Sequence, residues 1–104
     1  QARLKKLENL TVITCDVILG RHVIVNVLSS ISHDCVLADY VTLSPGCHLP
    51  GGCRLGEGVF MGAHSTIVPN VSLAAGAFVA AGAVVVDSDA TPNIRLMGVP
   101  ARSK

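Results

Sequence analysis

The chain has 104 residues, half of them hydrophobic, but it contains no Trp, one Tyr and two Phe. Its net charge of +1 gives no reason to expect a nucleic acid or an anionic membrane as a partner. No apolar run reaches the ~18 residues that a membrane-spanning helix needs. No export signal is visible, which favours a cytoplasmic location. This composition suits a narrow core of many similar small layers better than a core built on large rings.

The first segment, residues 1–10, comes before the regular part of the sequence. It carries Arg3, Lys5 and Lys6. We expect it to be a linker or a short lead-in helix.

A six-residue period governs residues 11–87. Bulky aliphatic side chains recur at every sixth position, and from Thr11 on the residue two places before each of them is small or β-branched. Two inward positions spaced by two form a short strand, and the Gly and Pro that follow suit corners. This is the hexapeptide pattern of a parallel β-helix, so we predict an all-β domain. The aliphatic positions are Leu7, Ile13, Leu19, Val25, Ile31, Leu37, Leu43, Leu49, Leu55, Met61, Ile67, Leu73, Val79 and Val85.

Three hexads per coil bring like residues into register. With an 18-residue coil, one column consists of Leu19, Leu37, Leu55 and Leu73. The two Phe are also 18 residues apart, so Phe60 and Phe78 should stack on one outer face. We therefore predict a triangular prism of about four coils. A prism this thin has a poor surface-to-volume ratio, and its faces should pack against copies of itself.

The last segment, residues 88–104, breaks the period at Thr91 and ends in MGVPARSK. We predict an irregular tail that leaves the prism.

An ionisable pair, His33 and Asp34, lies at a corner of the predicted prism. These residues follow Ile31 by two and three positions, so both side chains should point outwards. One coil on, Gly51 stacks over His33 and is followed by Gly52, which leaves open space and bare backbone N–H groups. An exposed imidazole beside a carboxylate and a donor-lined gap suits general-base catalysis on an acyl group.

The other His and Cys residues give weaker indications of a metal site or a nucleophile. No two of the four His stack on one corner, so a metal site within one subunit is not expected, although ligands from two subunits could meet. Cys15 stacks one coil below His33, which leaves a Cys–His nucleophile as an alternative. The remaining three Cys, Cys35, Cys47 and Cys53, point inwards and should be reduced core residues. None of the four has the C-x-x-C spacing of a zinc ribbon.

Four stretches carry a family resemblance: NVLSSISHDCVLADYVTLSPG, GGCRLGEGVFMGAHSTIVP, AGAFVAAGAVVV and the closing GVPAR. From about Leu19 to Arg102, the chain resembles the hexapeptide-repeat acyltransferases that include sialic-acid O-acetyltransferases and the bacillosamine and perosamine N-acetyltransferases. The resemblance implies a left-handed parallel β-helix. It also implies transfer of an acetyl group from acetyl-CoA to an amine or hydroxyl of a sugar or nucleotide sugar.

The resemblance also assigns catalytic roles. The family's general base is the His of the H-D/E-C element, which is His33 here. The acidic residue after it, Asp34, increases the basicity of the imidazole. The family's oxyanion donor is a backbone N–H that falls at Gly51.

Acetyl-CoA binds in this family between adjacent subunits of a homotrimer. The contacts of acetyl-CoA map onto Thr42, Ala63 and Ala81, and Arg102 in the GVPAR tail is a further candidate for the phosphates. Thr42 departs from the pattern, because many members have a second His there. Full members also carry an N-terminal Rossmann-like domain that holds the sugar, and nothing in this sequence matches that domain.

Two alternatives to an acetyltransferase remain. A γ-class carbonic anhydrase shares the left-handed helix but needs three His around zinc, two of them close in sequence, whereas the closest two here are eleven residues apart. A non-catalytic β-helix would be a scaffold or an ice-binding prism, and ice binding would favour ranks of Thr, which are sparse here. The sequence does not identify the acceptor or distinguish N- from O-acetylation.

Overall fold

The computed structural model describes residues 3–7 and 12–103, with side-chain environments from residue 13 on. These residues form strands and turns. Most of the strands are two residues long. In chain order they are β1 Arg3–Leu7, β2 Val12–Ile13, β3 Ile18–Leu19, β4 Arg21–Val25, β5 Ser30–Ile31, β6 Val36–Leu37, β7 Thr42–Leu43, β8 His48–Leu49, β9 Arg54–Leu55, β10 Phe60–Met61, β11 Thr66–Ile67, β12 Ser72–Leu73, β13 Phe78–Val79, β14 Val84–Val85, β15 Arg95–Met97 and β16 Arg102–Ser103.

The strands form three sheets, which are the faces of a prism. Face A has the order β1-β4-β7-β10-β13-β15-β16, face B the order β14-β11-β8-β5-β2, and face C the order β12-β9-β6-β3. Neighbouring strands of the repeat are parallel and pair residues 18 apart, for example Val36 with Arg54 and Phe60 with Phe78. The predicted coil of three hexads is therefore confirmed, and the fold is a left-handed parallel β-helix.

The core is the column of aliphatic side chains that the period predicts. Leu37, Leu43 and Leu49 are 0% exposed, and Cys35 and Val41, which precede two of them by two positions, are also 0% exposed. Burying one such aliphatic side chain contributes about 1.5–3 kcal/mol. Stability therefore comes from the repetition of a small layer rather than from a few large residues.

Small polar side chains form hydrogen bonds with the backbone carbonyls inside one corner of the prism. Ser29 and Ser65 are the buried polar residues among those described. The Ser29 hydroxyl donates to the Ser44 carbonyl at 3.0 Å, and the Ser65 hydroxyl donates to the Gly62 carbonyl at 2.7 Å. Between them, the Cys47 thiol donates to the same Gly62 carbonyl at 3.1 Å. Small residues in this column leave room for the chain to turn without leaving buried carbonyls unpaired.

Each corner contains one residue with positive φ. At the corner between faces B and C this residue is Asp16, Asp34, Gly52 or Asn70 in successive coils, with φ between 57° and 77°. Asn, Asp and Gly tolerate this left-handed conformation better than other residues. The turn chemistry therefore repeats with the coil and keeps the coils in register.

The first described segment is a strand and not a helix. Strand β1 pairs in parallel with β4, with register shifts along Arg3–Lys6. Without β1, the edge of β4 would expose unpaired N–H and C=O groups, and the strand pairing satisfies them. The rest of the predicted lead-in lies outside the described residues.

The tail leaves the six-residue period as predicted, but it still pairs with the prism. Asp89 forms a bridge with Leu73, and β15 extends face A in parallel with β13. Phe78 pairs with Arg95, 17 residues further along the chain, whereas strands within the repeat pair residues 18 apart. This last turn is therefore one residue shorter than a regular coil. Leu96, 5% exposed, packs on the core, and β16 returns antiparallel to β15.

No helix among the described residues has the length and apolar character to cross a membrane.

Candidate active site

His33 lies at the corner between faces B and C, directly after β5. The imidazole packs against the backbone of Gly51, one coil on, as the sequence predicts. A Cβ added at Gly51 would lie 2.6 Å from Nε2 of His33, closer than real Cβ contacts come. Glycine at position 51 is therefore what allows the ring to lie where it does.

Asp34 orients the imidazole. The Asp34 Oδ2 is 3.1 Å from Nδ1 of His33, and the two side chains are 67% and 65% exposed. A carboxylate only accepts hydrogen bonds, so Nδ1 carries the proton in the neutral ring and Nε2 keeps its lone pair. Asp34 thereby presents the basic nitrogen on the side of the ring that lies near Gly51.

The backbone amide of Gly51 is a free donor. Its N–H donates to no group among the described residues, whereas the next amide, Gly52 N–H, donates to the His33 carbonyl at 3.0 Å. A base and an unused amide donor thus lie side by side. This arrangement fits the predicted roles of His33 and Gly51, which stay predictions.

A pocket of about 480 Å³ contains these groups. It is lined by His33, Asp34 and Gly51, and also by Pro50, Pro69 and Asn70. The sequence prediction did not include Asn70. The signal was present, because Asn70 is one 18-residue coil beyond Gly52 and two coils beyond Asp34.

The predicted acetyl-CoA contacts lie elsewhere on the prism. Ala63 and Ala81 stack at the corner between faces A and B, and their N–H groups, like that of Gly51, donate to no group among the described residues. Thr42 is on face A in strand β7, paired with Ile24 and Phe60. Its N–H is already used by the Val59 carbonyl at 3.0 Å, so a ligand would have to use its carbonyl or hydroxyl.

The structure therefore brings the predicted residues together in two groups. His33, Asp34 and Gly51 form one group, and Ala63 with Ala81 forms the other, with face B between the two corners. Arg102 is exposed on β16, at the end of face A. A ligand that touches both groups has to cross face B or lie between two copies of the chain.

The other three His each have a separate neighbour. His22 stacks on Tyr40 with ring centroids 5.2 Å apart, and Nδ1 of His48 is 2.8 Å from the Ser30 hydroxyl. The His64 ring packs against Gly46. Within the described part of the chain, no three His, Cys, Asp or Glu residues come close enough together to hold a metal ion.

The four Cys are free thiols. Cys15 is exposed one coil below His33, where its carbonyl accepts the Asp34 N–H at 3.4 Å. The inward Cys35 thiol donates to the Pro50 carbonyl at 3.1 Å. Burial raises the pKa of the Cys47 and Cys53 thiols. These two thiols are thus core groups that resist ionisation.

The two Phe stack as predicted. The ring centroids of Phe60 and Phe78 are 5.2 Å apart with 8° between the ring planes. The Arg95 guanidinium carbon lies 5.4 Å from the Phe78 centroid and extends the stack. An apolar stripe with a cationic end thus runs along face A.

No family model matches the chain. Among curated proteins, GDP-perosamine N-acetyltransferase from Escherichia coli O157:H7 is 36% identical over 62 residues. The matched region covers 57% of this chain and 28% of that relative. The chain therefore spans less than a third of the length of this curated relative.

Solved structures match nearly the whole chain. WeeI from Acinetobacter baumannii AYE has a TM-score of 0.92 and 28% identity, covering 100% of this chain and 52% of that one. A second structure is a histidine-to-alanine mutant of GDP-perosamine N-acetyltransferase from Caulobacter crescentus in complex with CoA and GDP-perosamine. It has a TM-score of 0.84 and 27% identity, covering 99% of this chain and 57% of that one.

A third structure, the acetyltransferase domain of PglB from Neisseria gonorrhoeae FA1090 in complex with acetyl coenzyme A, has a TM-score of 0.80. At 24% identity, covering 98% of this chain and 58% of that one, it shows a shared fold. The chain thus spans little more than half the length of these three structures. The resemblance predicted from the sequence is confirmed in this form: the chain is similar to the hexapeptide-repeat N-acetyltransferase group, which includes GDP-perosamine N-acetyltransferase.

Proposed function

We propose that this chain is the catalytic β-helix of an acetyltransferase that moves an acetyl group from acetyl-CoA to an amine of a nucleotide-linked amino sugar. The observation that carries the proposal is the contact between the His33 ring and Gly51, with an unused amide N–H beside a basic nitrogen in one pocket. The relatives support the substrates, since one is a GDP-perosamine N-acetyltransferase and another was solved with CoA and GDP-perosamine.

The chemistry follows from the placement of these groups. Nε2 of His33 removes a proton from the acceptor amine while the nitrogen attacks the thioester carbonyl. The Gly51 N–H donates to the oxyanion that forms on the carbonyl oxygen. The carbon–sulfur bond then breaks, and the CoA sulfur takes the proton from the His33 imidazolium. The products are the acetylated acceptor and free CoA, and His33 returns to its neutral state.

We propose that the complete site lies between two copies of the chain in a homotrimer. The support is geometric, because the amides of Ala63 and Ala81, which donate to nothing within residues 3–7 and 12–103, lie at a different corner from His33. A pantetheine arm carries amide carbonyls that such N–H groups bind well. Arg102 and the Thr42 hydroxyl are further contact candidates at face A. A cytoplasmic location is part of the same proposal.

The test is an acetyl-transfer assay with acetyl-CoA and UDP- or GDP-linked amino sugars, GDP-perosamine among them, in which the released CoA thiol is measured. The wild-type chain should release CoA in proportion to acetylated product. His33→Ala should lower the rate ~10²–10⁴-fold, the usual effect of losing a general base.

His22→Ala is the matched control. His22 is also an exposed His, but it lies near the start of strand β4 with φ 57° and stacks on Tyr40, outside the residues that line the His33 pocket. This variant should keep wild-type activity. Absence of transfer by the wild-type chain to every acceptor in the series, or full activity of His33→Ala, would contradict the proposed function.

A further inference from the structure

Asn70 lies in the same pocket as His33 and Gly51. It occupies the positive-φ position of its corner, with φ 63°, one coil beyond Gly52. Its side chain reaches over Gly52, where any Cβ would collide with the Asn70 Oδ1. No group among the described residues hydrogen-bonds to the Asn70 carboxamide. The carboxamide is thus placed by the shape of the turn, and Asn70 is an exposed residue in the lining of the pocket.

The chain contains a second copy of this turn outside the pocket. Comparing the two copies distinguishes the role of Asn in the turn from any role in the pocket. Asn93 also follows a Pro, has φ 60° and places its Oδ1 over Gly76. The backbone bonds match as well: Asn70 N–H donates to the Gly51 carbonyl at 3.0 Å, and Asn93 N–H donates to the Ala75 carbonyl at 2.9 Å. The turn alone therefore accounts for an Asn at both positions. Only Asn70 lies in the His33 pocket.

The charges of the pocket indicate which part of an acceptor it suits. Its ionisable lining residues are His33 and Asp34, and it has no Lys or Arg among the lining residues. The Arg54 guanidinium belongs to a neighbouring depression that shares only Asp34 with this pocket. A pocket with one carboxylate, one imidazole and one carboxamide suits a hydroxyl- and amine-bearing ring better than a diphosphate.

We propose that Asn70 is a specificity-determining residue that hydrogen-bonds to a hydroxyl of the acceptor sugar, next to the amine that His33 deprotonates. This inference rests on the proposed function. A carboxamide both donates and accepts, so it pairs with a hydroxyl whichever way the hydroxyl proton points. The contact holds the sugar ring so that the amine faces Nε2 of His33.

The test compares Asn70→Gly with Asn93→Gly. Glycine suits positive φ, so both variants keep their turns and lose only the carboxamide. With acetyl-CoA and GDP-perosamine, Asn70→Gly should raise the KM for the acceptor roughly 3- to 10-fold, as expected for one lost neutral hydrogen bond. The KM for acetyl-CoA should not change. Asn93→Gly should leave both KM values as in the wild type.

A second readout follows the side chains directly. In ¹⁵N-labelled protein, titration with GDP-perosamine should shift the side-chain amide resonances of Asn70 and not those of Asn93. Equal kinetic effects of the two glycine variants, or an Asn70→Gly enzyme with wild-type KM values, overturn the role of Asn70 and leave the proposed function standing. If the wild-type chain neither acetylates nor binds any amino-sugar nucleotide, the proposed function fails and the role of Asn70 fails with it.

Discussion

Replacing Gly51 with Ala should disable the site without unfolding the protein. The added Cβ would lie closest to Cε1 of His33 and 2.6 Å from Nε2, whereas ordinary contacts are 3.4–4 Å. The ring must therefore move outwards by about 1 Å. It is free to do so, because the His33 side chain is 65% exposed. Gly51 does not have positive φ, so Ala meets no backbone strain there.

The expected magnitudes follow from this geometry. A misplacement of ~1 Å in a catalytic constellation can cost ~10²-fold in rate, so kcat should fall by about that factor. The free energy of unfolding should change by no more than about 0.5 kcal/mol, as for other surface substitutions. Acetyl transfer is measured from CoA release, and stability from urea unfolding followed by circular dichroism.

A double-mutant cycle with His33→Ala identifies the cause. Ala at position 51 keeps its N–H, so the loss should come from the displaced imidazole and not from the oxyanion donor. In a chain that already lacks the His33 ring, Gly51→Ala should then have little further effect. A Gly51→Ala enzyme with wild-type kcat, or the same ~10²-fold loss in the His33→Ala background, would refute this reasoning.

Three other outcomes are expected. Asp34→Ala should lower kcat less than His33→Ala does, because Asp34 orients the ring and transfers no proton itself; an equal loss in both variants would contradict this order. Light scattering in dilute buffer should give about three times the 10.7 kDa chain mass, and a monomer that still transfers acetyl would rule out the interfacial site. Alkylation of the folded protein near pH 8 should modify exposed Cys15 first. Cys35, Cys47 and Cys53 should react only after unfolding, because they are buried and burial raises the pKa of the last two. A disulfide-linked Cys35–Cys53 peptide pair would contradict the expected reduced thiols.

The sequence was informative about the repeat because the repeat is a local property. Each hexad contains its own inward pair and its own corner, and every coil copies the one before it. Counting in steps of 18 was therefore enough to place Gly51 against His33 and Phe78 on Phe60. Both contacts are present in the structure.

The same count failed where the period changes. Pairing at the end of the prism shifts to 17 residues between Phe78 and Arg95, so the strand in the tail was not visible as a continuation of face A. Strand β1 was missed for a related reason. An open sheet edge accepts a strand because of its unpaired backbone groups. Such pairing does not require any particular side-chain pattern in the added strand, so the sequence gives no signal for it.

The sequence by itself determined the prism, its register and the corner that holds His33, because a six-residue period fixes which side chains point inwards. Only the tertiary structure decided what surrounds that corner. It showed that the Gly51 amide has no acceptor in the described part of the chain, that Asn70 lines the same pocket, and that Ala63 and Ala81 lie at a different corner. Each of these findings depends on where backbone groups and side chains from separate hexads meet in space. The six-residue period of the sequence does not specify those contacts.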